Sequence, residues 1–196
     1  MRLVVATRNE HKLRELRKLL SGHELVALPP EVALPPESGS TFEENALIQA
    51  RAAAAATGAT AIADDSGIVA AALDGHPGVH SARFAGEAAT DEENLAKLLR
   101  EVPPDGDRRV AYVCVIAYIE PGREERLFDG RCEGTLAVEP RGSGGFGYDP
   151  AFVPSEVADG RTMAELDPAE KDAISHRGRA ARALAGWLAD ERKAAA

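Results

Sequence analysis

Two adjacent carboxylates, Asp64 and Asp65, are the strongest chemical signal in the sequence. They follow a short apolar run at residues 59–63, which predicts a buried strand, and they precede Ser66 and Gly67. Carboxylates at the end of a strand provide oxygen ligands for Mg²⁺, and one of them can polarise water. We therefore interpret one of these aspartates as a candidate general base. The alternative is a turn with no chemical role, because Asp, Ser and Gly are also common in turns after strands.

Three glutamates are candidates for a further metal ligand. Glu37 lies at the end of a proline-rich loop, and Glu43 and Glu44 follow it closely. Each provides a carboxylate of the kind that Mg²⁺ binds. A solvent-exposed surface position is the alternative for each of them.

The polar segment Thr7-Arg8-Asn9-Glu10-His11-Lys12 separates an apolar run at residues 2–6 from leucines at helical spacing. Free backbone N–H groups and the positive dipole end make a helix start after a strand favourable for anions. The hydroxyl, amide and ammonium of this segment suit phosphate oxygens, although the pattern of a Walker loop is absent from the sequence. The alternative is a helix start that Asn9 caps, with Lys12 directed to solvent.

A glycine-rich loop at residues 142–150 carries two aromatic side chains, Phe146 and Tyr148. A ring on such a loop can stack on a planar base. The alternative is a tight turn with Phe146 in the core. Further along the chain, Lys171 and the sequence Ser175-His176-Arg177-Gly178 flank the start of the last predicted helix. His and Arg can donate hydrogen bonds to a carbonyl or a phosphate, whereas the alternative is a plain Ser175 cap with an exposed Arg177.

The elements that must position these residues alternate between strand and helix along the chain, which predicts an α/β fold. Capping patterns begin helices at Thr41 with Glu44, and at Thr90 with Glu93. Residues 68–73 are apolar enough for strand or helix. Strands are expected at residues 2–6, 25–28, 59–63, 110–119, 126–138 and 151–153, and helices after Thr7–Lys12, at 41–56, at 90–100, after Asp167 and from Ser175.

Composition limits the classes of function. The chain has 196 residues, which we expect to form a single domain, residues 1–196, and 28% of them are charged. The formal net charge is −9, so a wide nucleic-acid surface is disfavoured, whereas a small anionic ligand needs only a few local cations. No apolar run approaches the about 20 residues of a membrane span, and we expect no membrane partner and a cytoplasmic protein.

Six of these motifs occur in one collinear order: Thr7-x-Asn9-x-x-Lys12, Thr41-Phe-Glu-Glu-Asn45-Ala46, Ala63-Asp-Asp-Ser-Gly67, Pro77-Gly-Val-His-Ser-Ala-Arg83, Gly145-Phe-Gly-Tyr-Asp-Pro150 and Ser175-His-Arg-Gly178. In this respect the whole chain resembles the inosine/xanthosine triphosphate pyrophosphatase family. The resemblance implies Mg²⁺-dependent hydrolysis of ITP, dITP and XTP to the monophosphate and pyrophosphate. It also implies an elongated two-lobed fold with a long twisted mixed β-sheet, flanking helices, an active-site cleft between the lobes, and a homodimer.

The resemblance also implies roles for individual residues. Asp65 would be the metal-linked general base, Glu37 a second metal carboxylate, and Ser66 a substrate contact. The triphosphate would contact Thr7, Arg8, Asn9, Glu10, His11 and Lys12. The base and sugar would lie under Phe146, Gly147, Tyr148 and Asp149, with Lys171 binding the nucleotide and His176 and Arg177 reading the base.

Two positions depart from the family pattern. Gln49 stands where the family often has Lys, and Arg8 replaces a common Gly. Gln49 cannot give a positive charge to a phosphate, whereas Arg8 adds a charge near the predicted phosphate site. A nucleotide-binding protein without catalysis is therefore the alternative to the pyrophosphatase.

Overall fold

One six-stranded mixed sheet runs through the protein, whose computed structural model describes residues 1–194. The first strand is parallel to both of its neighbours, and the last two strands are antiparallel. This sheet confirms the predicted α/β class. The strands, in the sheet order β2-β1-β3-β4-β5-β6, are β1 (Arg2–Val5), β2 (Glu24–Ala27), β3 (Ala61–Ala70), β4 (Arg109–Ile119), β5 (Arg126–Leu136) and β6 (Phe152–Pro154).

Five α-helices accompany the sheet within the described residues, and side-chain caps begin four of them. Asn9, Thr41, Thr90 and Asp167 each accept a hydrogen bond from a backbone N–H of the first turn. The helices are α1 (Glu10–Leu19), α2 (Phe42–Thr57), α3 (Asp91–Glu101), α4 (Pro168–Ile174) and α5 (His176–Ala194).

The two predicted capping boxes have different outcomes. Thr90 and Glu93 exchange both hydrogen bonds, as predicted. Thr41 accepts from the backbone N–H of Glu44, but the Glu44 carboxylate accepts from the backbone N–H and hydroxyl of Ser40. These bonds lower the pKa of Glu44. The capping box predicted a hydrogen bond from the backbone N–H of Thr41 to the Glu44 side chain, but the donor is Ser40, one residue earlier in the chain.

Strand β3 is longer than predicted. It continues through Asp64 and Asp65 to Ala70, and a short 3-10 helix follows at Ala71–Leu73, which resolves the ambiguous segment 68–73. Gly67 allows the residues around Gly78 and Ser81 to pack closely against β3. A Cβ atom at position 67 would collide with the carbonyl oxygen of Gly78 and the hydroxyl of Ser81. The prediction that the aspartates end a strand was therefore wrong.

The chain forms two compact units. The first contains Met1–Asp65, Cys114–Gly130 and the chain from Arg177 onward, and the second contains Ser66–Val113 and Arg131–His176. The prediction of one domain with a cleft between two lobes stays a prediction. No helix among the described residues is long and apolar enough to cross a membrane.

The first unit has an apolar cluster on each face of its strands. On one face Leu3, Val5 and Ile62 pack with leucines of α1 and α5, including Leu16 and Leu184. On the other face Ala61 and Ala63 pack with alanines of α2. Because side chains alternate along a strand, consecutive residues of β3 enter these two clusters in turn.

In the second unit an apolar cluster is centred on Ile68, Tyr112, Cys132 and Phe152. Tyr112 stacks on Phe152 with ring centroids 4.4 Å apart. Leu95 and Leu98 of α3 pack into this cluster. Tyr112 of this cluster also contacts Asp149 and His176, two of the predicted base-binding residues.

Candidate active site

Asp64 and Asp65 project from opposite faces of β3, because they are consecutive residues in a strand. The face of Asp64 carries residues of α1 and α5, and the face of Asp65 carries Asn45 of α2. Both aspartates are buried. Two carboxylates on opposite faces of a strand do not chelate one ion, and the assignment of the metal to Asp65 and Glu37 stays a prediction.

The carboxylate of Asp64 pairs with two cationic side chains, those of Arg177 and Lys12. Its Oδ2 atom accepts from Nε of Arg177 at 2.9 Å, lies 2.9 Å from Nη2 of Arg177, and lies 3.6 Å from Nζ of Lys12. Nη1 of Arg177 also donates to Oε2 of Glu15 at 2.5 Å. Burial opposes the charge on Arg177, but the charge of Asp64 together with the charge and hydrogen bond of Glu15 outweighs it, so the pKa of Arg177 is raised.

Cys114 lies on the same side of the sheet. Its Sγ atom is 3.8 Å from Oδ2 of Asp64. Burial raises the pKa of the Cys114 thiol, and the negative charge of Asp64 raises it further. Cys114 is therefore an inert thiol at neutral pH, because the thiolate is the reactive form.

Asp65 has a different environment. Its Oδ2 atom accepts from the neutral amide Nδ2 of Asn45 at 3.1 Å. The Oδ1 atom of the same amide accepts from the backbone N–H of Gly39 at 2.8 Å. Asn45 is fully buried, and it links Asp65 to the loop that carries Glu37. Sequence reasoning gave Asn45 no role, although a polar residue in the first turn of an apolar helix is a usable signal.

Two carboxylates are candidates for holding a divalent metal ion. Among the described residues no group of three or more His, Cys, Asp or Glu side chains is arranged to hold a metal. Mg²⁺ is commonly held by one or two carboxylates, with water and substrate phosphates completing its coordination. Asp65 and the half-buried Glu37 provide carboxylates of this kind.

The segment Thr7–Lys12 forms the start of α1. Asn9 Oδ1 accepts from the backbone N–H groups of His11 and Lys12, so Asn9 is a helix cap. Thr7 Oγ1 accepts from the backbone N–H of Asn9. Lys12 is not directed to solvent, because its side chain is 17% exposed and its Nζ donates to the carbonyl oxygen of Asp64 at 3.2 Å. Glu10 and His11 are exposed.

Asp149 organises the predicted base-binding loop of the second unit. Its Oδ2 atom lies 2.8 Å from Nζ of Lys171 and accepts from the backbone N–H of Phe146 at 3.0 Å, while Oδ1 accepts from Tyr112 Oη at 3.1 Å. Nζ of Lys171 also lies 5.1 Å from the centroid of the Phe146 ring. Gly145 has a φ of +72°, and a Cβ atom there would meet the Asp149 carboxylate.

The rest of the loop is held by neighbouring elements. The buried Tyr148 donates to the carbonyl oxygen of Ser81 at 2.7 Å, and the backbone N–H of Gly147 donates to Asp91 at 2.7 Å. Burial raises the pKa of Tyr148, and the charge of Asp91 adds to this. Phe146 is half-buried, which leaves part of its ring accessible.

His176 has an aromatic partner. Its ring stacks on Tyr112 with centroids 4.5 Å apart and an interplanar angle of 14°. In the second unit the structure therefore places Asp149 and His176 against Tyr112, and Phe146 and Lys171 against Asp149. In the first unit it gathers Lys12 and Arg177 around Asp64, and Asn45 beside Asp65. Ser66 follows Asp65 on β3 and is half-buried.

Comparison with known proteins gives a match over nearly the whole chain. A family model described as the Ham1 family matches residues 3–187. A dITP/XTP pyrophosphatase of Symbiobacterium thermophilum is 56% identical over 185 residues, which cover 91% of this chain and 90% of the relative. One of Geobacter sulfurreducens is 51% identical over 95% of this chain and 97% of the relative.

Solved structures are similar over the same extent. The Ham1 protein of Staphylococcus aureus has a TM-score of 0.87 and 40% identity, covering 97% of this chain and 100% of that protein. A HAM1 protein of Coxiella burnetii has a TM-score of 0.88 and 44% identity, covering 97% and 99%. These structures support the α/β fold described above.

Proposed function

Because this chain belongs to the Ham1 family, we propose that it is a pyrophosphatase that hydrolyses dITP, ITP and XTP to the monophosphate and pyrophosphate. Its relatives carry the name dITP/XTP pyrophosphatase. The purpose of the reaction is to remove deaminated purine nucleotides from the nucleotide pool.

The contrast between Asp64 and Asp65 carries the proposal. Asp64 lies against the guanidinium of Arg177 and the ammonium of Lys12, whose positive charges favour its carboxylate form. Asp65, on the other face of β3, accepts from the amide of Asn45. Two carboxylates in different environments take different chemical roles. We assign the general base to Asp65, as its motif implies, and we assign to Asp64 the orientation of Arg177 and Lys12.

In the proposed reaction one bond of the oxygen that bridges the α- and β-phosphates breaks. This is its bond to the α-phosphorus if water attacks there, or its bond to the β-phosphorus if water attacks that atom. Water provides the new oxygen, and Asp65 accepts its proton. Lys12 and the start of α1 hold the triphosphate oxygens. When bound, Mg²⁺ neutralises phosphate charge and acidifies water. Asp65 and Glu37 would hold this ion.

Base selection is assigned to the second unit. Hypoxanthine and xanthine carry an acceptor oxygen at the position where adenine carries an amino donor. Lys171 and His176 provide donors, and Phe146 provides a ring against which the base stacks. Arg177 was expected to read the base, but its ion pairs with Asp64 and Glu15 support a role in positioning Asp64.

Four further expectations belong to the same proposal. We propose Mg²⁺ as the metal, a homodimer as the assembly, the cytoplasm as the location, and a nucleotide rather than a nucleic acid as the partner. The acidic net charge of −9 favours the last of these.

The direct test is to incubate the purified protein and Mg²⁺ with dITP, ITP, XTP, dATP or dGTP in parallel. We expect monophosphate and pyrophosphate in equal amounts from the first three nucleotides, and little product from the others. Release of inorganic phosphate would instead indicate a general phosphatase. Calorimetric binding of ITP with no product would indicate a nucleotide-binding protein without catalysis.

A further inference from the structure

The guanidinium of Arg8 does not extend from its loop as an isolated charge. Its Nη1 atom donates to the carbonyl oxygen of Leu28 at 2.9 Å, and its Nη2 atom, which has two N–H bonds, lies 2.9, 3.4 and 2.6 Å from the carbonyl oxygens of Pro29, Pro30 and Val32. A guanidinium is well suited to this, because it is a planar fork of five donors. Arg8 therefore binds the proline-rich segment, which we define as residues 28–36.

Gln49 binds the same segment at its other end. Its Nε2 atom donates to the carbonyl oxygen of Pro35 at 3.1 Å. Gln49 lies on α2, whereas Arg8 lies between β1 and α1. The two residues that depart from the family pattern thus hold the two ends of one segment.

The proline-rich segment depends on such outside donors. Proline has no backbone N–H, and four of the nine residues in the segment are prolines. Between its ends, Val32 and Leu34 pack against the alanine-rich cluster of the first unit. The segment leads directly into Glu37, and two residues later the backbone N–H of Gly39 donates to Asn45, the partner of Asp65.

We propose that Arg8 and Gln49 are positioning residues, which fix the proline-rich segment and thereby hold Glu37 in place for metal binding. This inference rests on the proposed function, since it takes Glu37 as a metal carboxylate. It also gives Arg8 a different role from a phosphate contact. The two roles are separable, because a phosphate contact needs the positive charge of Arg8, whereas the segment needs its fork of donors.

Two variants distinguish a phosphate contact from a role in holding the proline-rich segment. Arg8→Lys keeps the charge and removes the fork, and Gln49→Met keeps the length of the side chain and removes its donor. Arg17→Lys is the matched control, because Arg17 is exposed on α1. The first readout is amide hydrogen exchange of the whole protein without metal. The informative amides are those of Val32, bonded to Pro29, and Gly39, bonded to Asn45.

The second readout is binding of Mn²⁺ alone, measured by electron paramagnetic resonance. We expect exchange at Val32 and Gly39 to be about three- to tenfold faster in Arg8→Lys and Gln49→Met, and the dissociation constant for Mn²⁺ to rise by a similar factor. Arg17→Lys keeps wild-type values. With dITP at saturating metal, kcat changes little while the metal concentration needed for half-maximal rate rises.

Wild-type exchange in both variants would overturn the inference, as would faster exchange with unchanged Mn²⁺ binding. A phosphate contact would instead give a large rise in KM for dITP in Arg8→Ala, whereas Arg8→Lys would keep the wild-type KM, exchange rates and Mn²⁺ affinity. This result would also overturn the inference. If the wild-type protein binds Mn²⁺ but releases no pyrophosphate, the proposed function fails. The exchange and Mn²⁺ results still decide the inference in that case.

Discussion

Asp64 and Asp65 are neighbours in the chain, but their carboxylates lie on opposite faces of β3, one against Arg177 and the other against Asn45. The two aspartates are therefore expected to respond differently to the same substitution. Loss of charge at Asp64 affects a buried ion cluster, and loss of charge at Asp65 affects the proposed chemistry.

Asp65→Asn is expected to lower kcat for dITP by about a thousandfold, because the amide cannot accept a proton from water. The fold should persist, since an amide of the same shape still accepts from Asn45. Product formation and thermal unfolding are the measurements. Asp129→Asn is the control, because Asp129 is exposed on β5. A kcat within tenfold of the wild type would remove Asp65 from its role as base.

Asp64→Asn is expected to lower the free energy of unfolding by about 3 kcal/mol, because the buried Arg177 loses an anionic partner. Urea unfolding measures this change. The comparison is Glu124→Gln, which removes an exposed ion pair to Arg126 and should have little effect. Equal effects of the two substitutions would show that the Asp64 pair does not stabilise the fold.

His176→Asn is expected to lower the preference for dITP over dATP by about tenfold, the size of one net hydrogen bond. The measurement is the ratio of kcat/KM for the two nucleotides. His80→Asn is the control, because His80 is an exposed histidine of the same unit. An unchanged ratio in His176→Asn would mean that the base is read by other donors.

Local patterns in the sequence predicted the elements of the fold well. The strands and most helix starts follow from runs of apolar residues and from capping residues such as Thr90 and Asp167, which act within a few residues. The error at Asp64 and Asp65 has the same origin. Asp-Asp-Ser-Gly is typical of a turn, whereas the structure uses Gly67 for close packing within a continuing strand.

The partners of the site residues were harder to predict, because they are distant in the chain. Arg177 and Asp64 are separated by 113 residues, and Arg8 is 20 to 24 residues from the carbonyl groups that it binds. A single sequence contains the residue types of such pairs but not their pairing. The motifs therefore indicated the reaction, while the partners of Arg8, Asn45 and Arg177 required the structure.

Gly145→Ala and Gly147→Ala form a matched pair of substitutions in the glycine-rich loop. Both glycines have positive φ values, +72° and +63°, so alanine costs about 1–2 kcal/mol of folding free energy at either position. Only at Gly145 would the added methyl group meet the carboxylate of Asp149. We expect KM for dITP to rise only in Gly145→Ala. Equal KM values in the two variants would show that Asp149 does not shape the nucleotide site.

The raised pKa of Tyr148 predicts that the protein loses folding stability at alkaline pH. The pKa of Tyr148 is raised above the ordinary value of 10, first by burial and then by the charge of Asp91. Above about pH 10 the unfolded chain loses the phenol proton while the folded chain keeps it. The contribution of Tyr148 to stability is therefore complete below about pH 10 and falls as the pH rises toward the folded pKa, by about 1.4 kcal/mol per pH unit.

Tyr148→Phe removes this group, so the alkaline slope should become shallower by that amount. Urea unfolding at several pH values from about 9 to about 11 gives the slope for both proteins. At neutral pH the variant should lose about 1 kcal/mol, because the hydrogen bond to the carbonyl oxygen of Ser81 is gone. A slope equal to that of the wild type would mean that Tyr148 ionises in the folded protein as readily as in the unfolded chain.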